Sequence, residues 1–104
     1  LGVATAKPSQ AMPELPTIAS QGLPEYDVSV FFGVVAPKGV PADRLEKLNQ
    51  AFAKVLANEQ VRQNLSAQGL EISPDTSPAY LSQFIHSEMD KWAAVVKEAG
   101  ARLD

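Results

Sequence analysis

YDVSVFFGVVAP, residues 26–37, is the stretch on which the fold turns. It is the longest run with strand character, and alternation sends Val28, Val30, Phe32, Val34 and Ala36 to one face and Phe31 and Val35 to the other. Both faces are apolar, with only Ser29 and Gly33 small between them. Two-sided burial belongs to parallel or mixed sheets covered by helices, so the stretch predicts a layered α/β arrangement with helices above and below it.

The flanks supply elements to cover it. Upstream, Leu1, Val3 and Thr5 alternate as a short strand would, and Lys7-Pro8-Ser9-Gln10 ends it with turn chemistry. Pro8, Pro13, Pro16 and Pro24 mark an irregular connection, within which residues 15–22 read as a short helix stopped by Gly22. Downstream, Pro41 opens a helix with Asp43 in its first turn, and Leu45, Leu48, Phe52, Val55 and Leu56 recur at helical spacing to about Ala57. Asn58 reads as the N-cap of a second helix that ends at Gly69. Residues 70–72 alternate as a short edge strand before Pro74. Ser77-Pro78 starts a last helix that Gly100 stops, with Leu81, Ile85, Met89, Trp92, Val96 and Ala99 as its expected buried stripe.

Composition bounds the function classes. The 104 residues amount to one domain, 45% hydrophobic and 20% charged, in the range of ordinary globular proteins. A net charge of -3 with no Lys/Arg cluster argues against nucleic acid as a partner. There are no cysteines, so the chain neither needs nor avoids an oxidising compartment. No apolar run reaches the ~18 to 20 residues of a membrane span. The opening residues have neither Met nor a polar lead-in, and the expectation is a piece of something longer.

Chemistry is harder to find. His86 and Asp90 stand one helical turn apart, yet they fall in line with Gln83 and Lys97, away from the apolar stripe, and two ligands do not close a zinc site. They read as a solvated face. The carboxylates Glu46, Glu59, Glu71, Glu88, Asp90 and Glu98 show no pair with separated environments, which acid/base work requires. No Gly-x-Ser-x-Gly elbow or phosphate loop is present. The expectation is therefore no catalytic residue, no metal and no cofactor. Phe31, Phe32 and Gly33 are the ligand-cleft and hinge candidates, because a strand leading from one lobe into another lines the cleft between them. Core packing is the alternative for the two phenylalanines, and it is the expectation for Trp92.

The residues also carry a resemblance. Residues 12–19, MPELPTIA, then Gly22-Leu23-Pro24-Glu25-Tyr26-Asp27-Val28, Phe32-Gly33, Ala36-Pro37, Gly39, Pro41-Ala42 and Leu48-Asn49 resemble the C-terminal third of the Bug-type substrate-binding proteins of tripartite tricarboxylate transporters. Val61-Arg62, Leu65, Gln68-Gly69, Lys91-Trp92, Val95-Val96-Lys97 and Ala99-Gly100 are similar to that family too.

The resemblance implies part of a type II periplasmic-binding-protein-like fold, a mixed sheet flanked by helices. It implies a non-enzymatic periplasmic receptor that closes on a small carboxylated metabolite and presents it to membrane permease subunits. In that picture residues 1–26 are the tail of the second lobe and the crossover, and residues 27–104 the C-terminal part of the first lobe. Hinge closure is an established mode of switching for such architectures. Most ligand-holding loops would lie upstream of these residues. The family often has Trp where Phe31 stands and Thr where Val40 stands, so Phe31 carries over only as an apolar wall and the helix at Pro41 loses a cap. The competing reading is a non-catalytic interaction or oligomerisation module, in which exposed apolar faces drive self-association.

Overall fold

A computed structural model describes residues 1–102. Its regular elements are helical: a single turn of 3-10 helix, Ala19–Gln21, then α1 (Ala42–Ala57), α2 (Glu59–Ala67) and α3 (Pro78–Ala99). Their ends follow from local chemistry. Asn58 adopts an extended conformation, and its side-chain oxygen accepts the N–H groups of Gln60 and Val61, capping α2. The α2 terminus closes with Leu70 donating to the Leu65 carbonyl over Gly69 at φ +79, the left-handed turn that glycine adopts without penalty. Ser77 Oγ accepts the Tyr80 N–H, Pro78 occupies the first turn of α3, and Gly100 ends it at φ 63. Pro41 sits one position earlier than the sequence suggests, as the N-cap of α1, where it offers no side-chain oxygen.

The expectation of an α/β mixed sheet is corrected by this architecture. Among the described residues there is no strand; the only β-type pairing is one isolated parallel bridge between Val3 and Thr17. Val3 donates to the Pro16 carbonyl, and Ile18 donates to the Val3 carbonyl, both at 2.9 Å. Residues 26–37 are not helical, but the backbone of residues 29–37 finds no backbone hydrogen-bond partner among the described residues. Residues 70–72 form no strand either. The physical reason is that alternation and β-branching report what a side chain tolerates, whereas a strand exists only when a second chain segment accepts its N–H and C=O groups. Nothing in the described residues does so for 29–37, and Val30, Phe32, Val34 and Val35 stand exposed, Val30 at 84%.

The helix faces are also rotated from expectation. On α3 the half-buried positions are Leu81, Phe84, Ile85, Glu88 and Lys91, whereas Met89, Trp92 and Val96 of the expected stripe are exposed. On α1 they are Asn49, Ala53 and Leu56, with Leu45, Leu48, Phe52 and Val55 exposed. Asn49 Nδ2 donates to the Thr76 carbonyl at 2.7 Å and so ties α1 to the lead-in of α3.

No hydrophobic residue is fully buried among those described; the one buried residue is Thr17, whose hydroxyl accepts from Ser20 N–H and whose carbonyl accepts from Ser20 Oγ. The accessible surface is 8901 Å², against about 5,700 Å² for a compact monomer of this mass. The radius of gyration, 16.7 Å, likewise exceeds the ~13 Å of a compact domain of this length. Apolar side chains of the extended segment, α1 and α3 are exposed.

Candidate functional site

Alternation places Phe31 and Gly33 on the side of the extended segment that faces α3. The Phe31 ring meets Phe84 edge to face, with centroids 4.8 Å apart and planes at 90°, and Tyr80 lies over Phe84 at 6.2 Å. A Cβ on Gly33 would come 3.5 Å from the Leu81 side chain, an ordinary contact. Phe32 points the other way and is 79% exposed. The three candidates are thus neighbours in sequence, but only Phe31 and Gly33 share a face. Among the described residues no closed cavity collects them. An open concavity of about 390 Å³ between α1 and α2 is lined by Lys54, Val55, Asn58, Gln60, Val61 and Asn64 and by none of the three.

His86 and Asp90 both stand exposed, as the solvated-face reading has it. The imidazole Nδ1 lies 2.7 Å from the Ser82 carbonyl of its own helix, which accepts its proton in the matching tautomer. No cluster of three or more metal-ligating side chains occurs among the described residues.

A polar cluster that the sequence reading passed over joins the two ends of the chain. Lys91 Nζ donates to the Asp27 carbonyl at 2.7 Å and pairs with Glu88 Oε1 at 2.9 Å; Glu88 Oε2 accepts the Trp92 indole N–H at 2.9 Å. Asp27 in turn accepts the Ala6 N–H through Oδ1, and Val28 N–H donates to the Ala4 carbonyl. The Lys91 ammonium hydrogen-bonded to Glu88 holds that carboxyl below the usual glutamate range. The helical spacing of Glu88, Lys91 and Trp92 could have disclosed half of this cluster; that Lys91 reaches Asp27 could not be read from spacing. A second tie lies at Glu71, whose Oε1 accepts both the Ser9 hydroxyl and the Gln10 N–H.

Comparison with known proteins identifies the chain. The family pattern of the tripartite tricarboxylate transporter family receptor matches residues 1–101. The chain belongs to that receptor family. Among curated relatives, Protein BugT of Bordetella pertussis is 35% identical over 103 residues, covering 99% of this chain and 31% of BugT. A UPF0065 protein from the tcbD-tcbE intergenic region of Pseudomonas sp. strain P51 is 34% identical over 99 residues, 94% of this chain and 29% of that protein. Another, from the TAR-I ttuE-ttuC' intergenic region of Agrobacterium vitis, is 31% identical over 100 residues. The chain spans about a third of the length of these relatives. The Bug-type resemblance carried by the Met12 to Gly100 motifs is borne out.

Proposed function

We propose that this chain is part of a periplasmic receptor that captures a small carboxylated metabolite and delivers it to the membrane permease subunits of a tripartite tricarboxylate-type transporter. The observation that carries the reading is the receptor-family match over residues 1–101. Residues 1–26 contribute the tail of one lobe and the crossover, and residues 27–104 the end of the other. Phe31 supplies an apolar wall beside the cleft, and Phe32 and Gly33 follow it as the further cleft and hinge candidates.

The chain is acidic, with a net charge of -3, so a carboxylate ligand gains nothing from its overall field. Capture has to come from local donors. Backbone N–H groups at loops and helix N-termini meet that need, and most of them come from the part of the receptor outside these residues.

Calorimetric titration of the gene product that carries this chain with citrate, succinate and glutamate tests the reading. Saturable one-to-one binding of one of them is expected, with no binding by residues 1–104 alone. Micromolar binding by residues 1–104 alone would overturn the shared cleft, and no binding of any of the three by the longer product would overturn carboxylate capture.

A second reading, a non-catalytic interaction or oligomerisation module, draws support from the 8901 Å² of accessible surface and the exposed Val30, Phe32, Val34 and Val35. Light scattering separates the two: under the receptor reading the longer product is monomeric and only residues 1–104 alone associate.

A further inference from the structure

Lys and Arg form no run in this sequence, yet α1 gathers three of them. Arg44, Lys47, Ala51, Lys54 and the C-cap Asn58 follow one another at alternating steps of three and four residues, which sets them in one line along the helix. All are exposed. The half-buried positions Asn49, Ala53 and Leu56 lie on the opposite side, so this line is the face that α1 turns outward. The helix holds three of the chain's nine Lys and Arg but two of its twelve Asp and Glu, and is therefore positive within a chain of net charge -3. Asp43 sits in the first turn, and Glu46 is bonded to the Gln50 amide. Among the described residues no ion pair engages Arg44, Lys47 or Lys54. The line runs into the open concavity between α1 and α2, where Lys54 stands with the side-chain amides of Asn58, Gln60 and Asn64 beside Val55 and Val61. No carboxylate lines it. Asn58 commits its oxygen to the α2 cap and keeps its NH2 group as a donor.

We propose that this face of α1, with the concavity at its end, is a docking surface for an acidic polypeptide segment of a partner protein. Charge complementarity selects the anionic occupant: cations spaced along ~15 Å of helix suit carboxylates spaced along a chain. The negative balance of the remaining chain disfavours other faces. The carboxamides select a polypeptide over a lipid surface, because they both donate to and accept from peptide groups. Three cations also fall short of the clusters of about four to eight Lys and Arg that hold a protein to anionic lipid. The surface stands on its own charge and spacing and goes beyond the receptor reading.

The experiment is an NMR titration of the amide resonances of the gene product that carries this chain, with a short peptide of alternating Glu and Ala as the probe. Saturable shifts are expected at Lys47, Ala51, Lys54, Asn58 and Val61, weakening as salt is raised. Reversal of the face in R44E/K47E/K54E is expected to weaken binding by about tenfold. K7E/K38E/K97E carries the same change in net charge on other surfaces and is expected to bind as wild type does. Equal weakening in the two triple variants overturns the proposal, since overall charge would then attract the peptide. Shifts confined to other surfaces overturn it too, as does equal binding of a peptide with Gln in place of Glu. Where R44E/K47E/K54E does not fold, K54Q decides: weaker binding than wild type supports the surface, and unchanged binding overturns it. Phosphatidylglycerol vesicles that shift these amides when the peptide shifts none would replace the polypeptide with an anionic lipid surface and overturn the proposal, as would no shift with either.

Discussion

Asn58 and Ser77 illustrate how single side chains set the helical part of this molecule, and both roles follow from the sequence. Each accepts backbone N–H groups that the first helical turn leaves unpaired, so N58A and S77A are each expected to lower unfolding stability by about 1 kcal/mol, measured by urea denaturation of the gene product. Gly33 behaves differently. Since an added methyl group meets Leu81 only at ordinary contact distance and Gly33 has no left-handed backbone, G33A is expected to change stability by less than about 1 kcal/mol. A loss of several times that amount would show a closer approach at Gly33 than this geometry allows. Two carboxyls are held below their ordinary range by their partners. Lys91 holds Glu88 low, and the Ser77 N–H and hydroxyl hold Asp75 low. A depressed folded-state value means each contribution is present above the unfolded pKa and lost as pH falls through the folded one. Stability is therefore expected to drop on the acid side of the ordinary carboxylate range, and E88Q should flatten part of that drop in a pH series of thermal unfolding.

At the scale of elements, the helices were legible and the sheet was not. Caps, prolines and glycines act within a few residues, which is why α1, α2 and α3 begin and end within a residue or two of their sequence signals. The stretch 26–37 keeps the alternation read from its side chains, with Phe31 and Gly33 turned to α3, yet it lacks the partner that would make it a strand. Which face of α3 is covered was misread for a related reason. An apolar stripe says what prefers burial, but Glu88 and Lys91 are drawn in by Asp27, a polar partner far away in the chain, while Met89 is left 65% exposed. The packing of the extended segment on α3 can be tested through its aromatic contact. A double-mutant cycle with F31A and F84A is expected to give a coupling of about 1 kcal/mol in unfolding stability. Additive effects would mean that the edge-to-face pair contributes nothing of its own.

For the molecule as a whole, the accessible surface and the missing buried core say that these residues alone do not complete a hydrophobic interior. Residues 1–104 expressed alone are expected to associate, giving a light-scattering mass above 11.1 kDa. V30K and V34K should reduce that association, because charge on an unpaired β-prone edge opposes edge-to-edge pairing. A monodisperse monomer would show that the exposed segment is less sticky than its chemistry indicates. Little of the candidate site was open to a sequence reading for the same reason: Phe31 and Gly33 could be named, but the Asp27 junction needs coordinates 64 positions apart brought together. That junction has a practical consequence. The sole tryptophan of the chain has its indole N–H on Glu88, within the cluster that grips Asp27. Its emission wavelength and quenching should respond whenever that grip loosens, so residue 92 is a native optical gauge of how the early segment sits against the last helix, with no dye attached.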